Sequence, residues 1–172
     1  MSRLTGWFLA AACVLAASLA LAGGPSSEEH TPSRADRVTK TADEWKAELS
    51  AEEFHVLREK GTERAFTGEF WDDKAPGVYT CGGCGLELFD AKTKYKSGTG
   101  WPSFYEPIAK DVIDEVADNL YGMRRVEVVC ARCGGHLGHV FPDGPRPTGL
   151  RYCINGTALD KVEAPSTPDK AK

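Results

Sequence analysis

The chain has 172 residues, a formal net charge of −4 and 41% hydrophobic and 27% charged residues. This composition excludes a disordered or fibrous protein, and the length suffices for one domain with a hydrophobic core. The sequence carries no basic stripe, which argues against nucleic acid or an anionic membrane surface as its partner.

The first 22 residues have the features of an export signal. Arg3 gives a positive start, residues 7–21 are apolar, and Ala-Leu-Ala at 20–22 offers a small-x-small cleavage site. An apolar run of roughly 15 residues is shorter than the ~20 that a membrane-spanning helix requires. We therefore expect a cleaved signal peptide over 1–22 and an exported, periplasmic protein; an uncleaved leader that anchors the chain is the alternative.

Composition divides the rest of the chain into three segments. Residues 23–41 are rich in Gly, Pro, Ser and charged residues, which predicts a flexible linker. Residues 42–162 contain the predicted folded domain, and residues 163–172 are predicted to be a disordered tail.

Two short helices are predicted at the start of the domain. The first covers about 43–49. Ser50 and Glu53 form a capping box that begins the second, and Lys60-Gly61 ends it with a C-cap glycine. We expect the second helix to pack on the sheet as a lid.

Beyond residue 66, short apolar stretches alternate with turn residues, a pattern that predicts strands. The fold class is therefore mostly β: curled antiparallel sheets form a small barrel-like or β-tent domain with short N-terminal helices. The predicted strands are 77–81, 87–89, 112–116, 126–130, 138–141 and 151–154.

Four cysteines form two Cys-x-x-Cys pairs, Cys81/Cys84 and Cys130/Cys133. Each pair follows a predicted strand in a turn, which is typical of a structural zinc knuckle with four thiolate ligands. Such a site has no open coordination position, so one zinc ion would stabilise the fold without taking part in catalysis. Two disulfides, or one pair that exchanges disulfides, are the alternatives in an oxidising compartment.

Cys153 has no comparable partner, and Cys13 lies in the apolar leader. A lone cysteine is often a small buried hydrophobic residue. Arg151, on the same face of the predicted strand, would stabilise a thiolate, and His136 and His139 are candidate acids. This combination favours a nucleophile, although it does not name a reaction.

The sequence from about residue 45 to about residue 159 resembles the B-type methionine sulfoxide reductases. Three ordered motifs carry the resemblance: Ser-Gly-Thr-Gly-Trp-Pro-Ser-Phe at 97–104, Cys-x-x-Cys-Gly-Gly-His-Leu-Gly-His-Val-Phe at 130–141, and Arg-Tyr-Cys-Ile-Asn at 151–155. Asp-Gly-Pro at 143–145 and Thr-Gly at 148–149 lie between the last two.

The resemblance implies that Cys153 attacks the sulfur of the R epimer of methionine sulfoxide in proteins or peptides and becomes a sulfenic acid. His136, His139 and Asn155 would bind or protonate the sulfoxide oxygen. Trp101 and Phe141 would form the aromatic wall that holds the S-methyl group.

Each of these side chains also has a structural interpretation. The two aromatic residues could belong to the core, the histidines could be structural hydrogen-bonding groups, and Asn155 could cap a turn. Asp143 either orients Arg151 or only forms the Asp-Gly turn.

Two positions depart from the family's pattern. Thr99 stands where many members carry a recycling cysteine, so we expect an external, thioredoxin-like thiol reductant to regenerate Cys153. Gly156 stands where the family usually has a serine, which predicts a change in activity of undetermined direction. A monomer is the default expectation.

Two other functions compete with this hypothesis. A zinc-knuckle domain that only binds a partner is opposed by the intact Arg-Tyr-Cys-Ile-Asn motif. A thiol-disulfide exchanger is opposed by the occurrence of two Cys-x-x-Cys pairs after strands.

Overall fold

The computed structural model describes residues 34–163, and of Tyr121 only the backbone. The predicted signal peptide, the first part of the linker and the tail beyond Glu163 lie outside these residues. The final part of the predicted linker contacts the domain: Val38 N–H donates to the Arg132 carbonyl, and Asp36 pairs with Arg132. Within the described part of the chain, no helix has the length and apolar character needed to cross a membrane.

Residues 34–163 form two helices and nine short strands, with three single-turn 3₁₀ segments. The helices are α1 (Ala42–Glu48) and α2 (Ala51–Glu59). The strands are β1 (Val78–Cys81), β2 (Glu87–Asp90), β3 (Lys94–Tyr95), β4 (Ser103–Phe104), β5 (Ile113–Asp118), β6 (Arg125–Cys130), β7 (His136–Phe141), β8 (Arg151–Ile154) and β9 (Leu159–Val162). The 3₁₀ segments are Ala91–Thr93, Leu120–Gly122 and Gly156–Ala158.

Capping boxes begin both helices. Ser50 accepts from the Glu53 N–H at the start of α2, as predicted, and Thr41 plays the same role for α1. The predicted C-cap glycine of α2 was wrong. Lys60 itself takes the left-handed conformation, with φ of 57°, and from this position its ammonium donates to Glu127 at 2.8 Å.

The strands form two antiparallel sheets, which confirms the mostly β prediction. One sheet has the order β2-β1-β9 and the other β3-β4-β8-β7-β6-β5. The strands β3, β4 and β9 were not predicted. Two of them have only two residues, which is too short for an alternating pattern to show in the sequence.

Aromatic side chains fill the space between the two sheets. Phe89 of β2 stacks on Phe104 of β4 with ring centroids 4.4 Å apart, and Tyr79 of β1 meets the same Phe104 edge-on at 5.1 Å. Tyr152 of β8 joins this core and is buried. Because side chains alternate along a strand, its neighbours Arg151 and Cys153 must lie on the opposite face of the sheet.

Helix α2 packs over the turns that carry the cysteines. Val56 and Leu57 are buried, and Leu57 lies close to both Gly83 and Gly135. Arg58 donates to the carbonyl of Cys133 at 3.1 Å. The predicted lid therefore covers the cysteine knuckle and the adjoining end of β7.

Candidate active site

Strand β8 presents Cys153 on the outer, polar face of the larger sheet. Its residues alternate between half-buried and buried, with Tyr152 and Ile154 directed into the core. Cys153 lies directly opposite Ser103 of β4 and opposite His139 of β7. Residues directly opposite each other share one face of an antiparallel pair, so the sheet register brings these three side chains together.

The loop before β4 places a hydroxyl beside the Cys153 sulfur. Thr99 Oγ1 lies 3.8 Å from Cys153 Sγ and 2.9 Å from the hydroxyl oxygen of Ser97. Ser103 Oγ donates to Ser97 Oγ at 2.8 Å, which ties the loop to the strand. On this side the thiol therefore faces a threonine hydroxyl, at the position where many members of the resembled family carry a second cysteine.

His139 is held by a carboxylate that the sequence did not reveal. Its Nε2 lies 2.9 Å from Asp118 Oδ2, and Arg125 donates to the same oxygen at 2.6 Å. Burial lowers the pKa of His139. The Leu120 N–H, together with His139 and Arg125, lowers the pKa of Asp118 to about 2, so this carboxylate is ionised at neutral pH.

His136 belongs to a buried hydrogen-bond network. It is 3% exposed, and its Nδ1 lies 2.7 Å from Glu127 Oε1. The second ring nitrogen, Nε2, takes no part in this hydrogen bond. Glu127 also accepts from Lys60 at 2.8 Å. Burial raises the pKa of Glu127, but its hydrogen bonds to His136 and Lys60 lower the pKa more, and the net shift is downward. The rings of His136 and His139 meet edge-to-face at 5.5 Å, so the histidines form one unit.

Arg151 is paired with Asp143 through two hydrogen bonds, of 2.8 Å from Nε and 2.9 Å from the terminal nitrogen. Asp143 therefore does more than form a turn. The guanidinium lies 4.3 Å from the centroid of the Phe141 ring. Phe141 is the residue paired with Arg151 on the neighbouring strand β7. Phe141 is half-buried on the polar face, outside the core, and its ring centroid is 6.4 Å from that of His139.

Asn155 lies at the end of β8 and is 4% exposed. Its amide nitrogen donates to the Leu137 carbonyl at 3.0 Å, and its amide oxygen accepts from the Glu63 N–H at 3.1 Å. The Trp101 indole N–H donates to the Glu63 carbonyl at 3.2 Å. Both predicted substrate contacts are thus attached to the backbone of one residue, Glu63, for which the sequence offered no periodic or motif signal.

Trp101 also borders a cavity of about 220 Å³. Aromatic side chains form part of its lining, and two of them, Phe66 and Trp71, are exposed and meet edge-to-face at 5.4 Å. Ser97, Gly98 and Gly100, from the loop that carries Thr99, also line this cavity.

The four paired cysteines converge in one cluster whose sulfur atoms lie within 4.8 Å of one another. Cys81 and Cys133 are 3.7 Å apart, and Cys84 and Cys130 are 3.5 Å apart. A disulfide bond is ~2.05 Å long, so these pairs are not bonded. Tetrahedral coordination at ~2.3 Å would place sulfurs roughly 3.8 Å apart, so the donors fit a metal ion.

The thiols in this cluster influence one another's ionisation. Hydrogen bonding between Cys130 and Cys133 raises the pKa of Cys130 and lowers that of Cys133. Sulfurs this close repel one another when several are ionised, and a cation among them removes that repulsion. The chemistry of the four donors therefore agrees with their geometry.

Comparison with known proteins agrees with this arrangement. The SelR domain family matches residues 49–163. Three relatives carry the name peptide methionine sulfoxide reductase MsrB. The protein from Saccharophagus degradans is 59% identical over 123 residues, that from Methanosarcina mazei 56% over 124, and that from Leptospira interrogans 55% over 122.

These matches cover 71%, 72% and 71% of this chain, and 92%, 89% and 93% of the respective relatives. The family match at 49–163 includes α2, both sheets, the cysteine cluster and Cys153. The chain therefore belongs to the SelR domain family of B-type peptide methionine sulfoxide reductases.

Proposed function

We propose that this protein reduces the R epimer of methionine sulfoxide in oxidised proteins and peptides, with Cys153 as the nucleophile. The observation that carries the proposal is the position of Cys153. It is half-buried on the polar face, opposite His139 and beside the Thr99 loop, in a chain that is 55–59% identical to the three reductases compared. The R preference follows the B-type family.

In the first step Cys153 Sγ bonds to the oxygen-bearing sulfur, and the oxygen is transferred to the cysteine. The products are methionine and a Cys153 sulfenic acid, so methionine sulfoxide is reduced while the cysteine is oxidised. One proton must reach the sulfoxide oxygen as the bond to Cys153 forms. His139, which is paired with Cys153 on the neighbouring strand β7, is the proposed acid.

His136 and Asn155 then have positioning roles. His136 contacts the His139 ring and is fixed by Glu127, while Asn155 is fixed by Leu137 and Glu63. Arg151 and the Phe141 ring beneath it supply positive charge and an aromatic surface on the same face. Trp101 is the second aromatic surface for the S-methyl group.

The sulfenic acid requires a reductant from outside the chain. The five described cysteines are the four of the cluster and Cys153, and Thr99 occupies the position beside the sulfur. A first external thiol displaces water and forms a mixed disulfide with Cys153; a second releases the free Cys153 thiol and a disulfide. A thioredoxin-like dithiol protein can supply both thiols.

We further propose that the cluster holds one zinc ion with a structural role. Cys81, Cys84, Cys130 and Cys133 would all be ligands, which leaves no position for substrate. The position of the four cysteines, in two turns that pack beneath α2, agrees with stabilisation of those turns.

We also propose a cellular localisation and a division of the chain into segments. We infer export to the periplasm from the sequence of residues 1–22, a linker over 23–41, the enzyme domain over 42–162 and a tail over 163–172. Oxidised proteins and peptides of that compartment would be the substrates, and a monomer is the simplest state.

Steady-state kinetics with both epimers tests the proposed activity. We expect the mature protein, with dithiothreitol, to reduce N-acetyl-methionine-R-sulfoxide and not the S epimer. Cys153→Ser should lose essentially all turnover and keep its metal content. Turnover by Cys153→Ser at the wild-type rate would exclude Cys153 as the nucleophile, and turnover of the S epimer alone would exclude the R assignment.

A further inference from the structure

We propose that Glu63 is a positioning residue that sets the geometry of both Trp101 and Asn155. This inference rests on the proposed function, because it concerns the same substrate site. Glu63 lies in the segment between α2 and β1, which has no regular secondary structure, so its position depends on side-chain contacts.

The Glu63 carboxylate is anchored to the turn that follows Asn155. Oε1 accepts from the Gly156 N–H at 2.6 Å. Oε2 accepts from the Thr157 N–H at 2.8 Å and from the Thr157 hydroxyl at 2.6 Å. A carboxylate that accepts three hydrogen bonds from one short turn is held in a fixed position.

The backbone of Glu63 then holds the side chains of Asn155 and Trp101. Its N–H donates to the Asn155 amide oxygen and its carbonyl accepts from the Trp101 indole. Trp101 and Asn155 come from different parts of the chain, 54 positions apart by number, and Glu63 is the residue that joins them. A shift of the Glu63 backbone, whose two flanking peptide units make these two hydrogen bonds, would therefore displace both side chains.

The packing around the carboxylate leaves little room for adjustment. A Cβ atom at Gly156 would lie 3.2 Å from Glu63 Oε1, closer than an ordinary contact. The absence of a side chain at Gly156 allows the short hydrogen bond from its N–H. Glutamine at position 63 would turn an amide NH₂ towards a backbone N–H, and one of the anchoring bonds would be lost.

The test compares kcat and KM of the wild-type protein and Glu63→Gln for the R sulfoxide. We expect kcat/KM to fall by about 10-fold to 100-fold, because a displacement of about 1 Å in a positioning group can cost two orders of magnitude. Glu59→Gln is the matched control: its carboxylate pairs with the exposed His55, and its kcat/KM should equal that of the wild type.

Two further measurements separate positioning from a general loss of structure. Alkylation of Cys153 by iodoacetamide should keep its wild-type rate in Glu63→Gln, because Glu63 does not contact the sulfur; faster alkylation would indicate a loosened fold. The effect of Glu63→Gln should also shrink in a Trp101→Phe background, which lacks the indole donor. Equal effects in both backgrounds would overturn the coupling to Trp101.

If Glu63→Gln does not fold, Thr157→Val tests the same anchor more gently. It removes the hydroxyl donor and keeps both backbone N–H groups, and we expect a 2-fold to 5-fold fall in kcat/KM with little change in Tm. Unchanged kinetics in a folded Glu63→Gln, or in Thr157→Val, would refute the proposal. An inactive wild type would instead refute the proposed function, so the two failures are distinguishable.

Discussion

The hydroxyl oxygen of Thr99 lies 3.8 Å from the sulfur of Cys153, and the Thr99 loop is tied through Ser97 to Ser103. This loop therefore presents a non-oxidisable side chain to the sulfur of Cys153. The separation is short enough that a sulfur at position 99 could reach Cys153 with a modest rotation.

Thr99→Cys should convert the enzyme to one that forms an internal disulfide. After one turnover without reductant, we expect the wild type to retain a sulfenic acid that dimedone labels. The variant should not be labelled, and mass spectrometry should show a mass two hydrogens below that of its reduced form. Ser97→Cys is the matched control, because Ser97 lies two residues before Thr99 and its hydroxyl contacts that of Thr99, so a cysteine there should react more slowly. Persistent labelling of Thr99→Cys would contradict this geometry.

Removal of the proposed zinc ion should destabilise the whole domain. The cluster joins the turn after β1 to the turn after β6, and α2 packs over both. Binding of the ion should contribute several kcal/mol to the free energy of unfolding. Its removal should therefore lower Tm by about 10–20 °C in a domain of this size. Calorimetry with and without a chelator, alongside metal analysis, measures this effect.

Cys130→Ser should reproduce the destabilisation, whereas Cys153→Ser should bind metal and unfold like the wild type. An unchanged Tm in a metal-free sample would show that the cysteine cluster does not depend on an ion for its stability.

Protonation of Asp118 should weaken the fold at acid pH. The pKa of this carboxyl falls from 3.8 to about 2 in the folded protein. The group therefore contributes stability that is complete above about pH 4 and is lost as the pH falls towards 2. Asp118→Asn cannot be protonated in this range, so the Tm difference between wild type and variant should shrink from pH 5 to pH 2.

Thermal unfolding at closely spaced pH values checks this linkage. Metal loss at acid pH affects both proteins alike and cancels in the difference. A Tm difference that stays constant from pH 5 to pH 2 would show that Asp118 keeps its ordinary pKa in the fold.

Gly138 lies where β7 pairs with β8, at a position with no room for a side chain. A Cβ atom there would lie 2.1 Å from the carbonyl oxygen of Cys153, a distance that the backbone must relieve by moving. We expect Gly138→Ala to destabilise the protein by about 1–3 kcal/mol and to lower kcat, because the strand that carries the nucleophile is displaced.

Gly82→Ala is the control for Gly138→Ala. A Cβ at position 82 would lie 3.4 Å from the Ala158 carbonyl oxygen, an ordinary contact, so its Tm and kcat should stay close to wild type. Urea unfolding and steady-state kinetics on both variants measure the two effects. Equal stability of the two variants would mean that the sheet accommodates the added methyl group.

Several features of this protein could be predicted from local sequence patterns alone. The capping box at Ser50, the strand around Cys153 and the two Cys-x-x-Cys turns are confirmed, because caps, alternation and ligand spacing involve residues close together in the chain. The lone Cys153 and the motifs around it also led to the right family.

The tertiary structure alone decided how the site is supported. Glu63 joins Trp101 to Asn155, Asp118 binds His139, and Lys60 reaches Glu127 from the end of α2. These contacts link positions as far as 92 residues apart, so they depend on the path of the folded chain and leave no periodic signal in the sequence. Local patterns identify the residues that carry the chemistry, whereas the packing of distant segments determines what holds them in place.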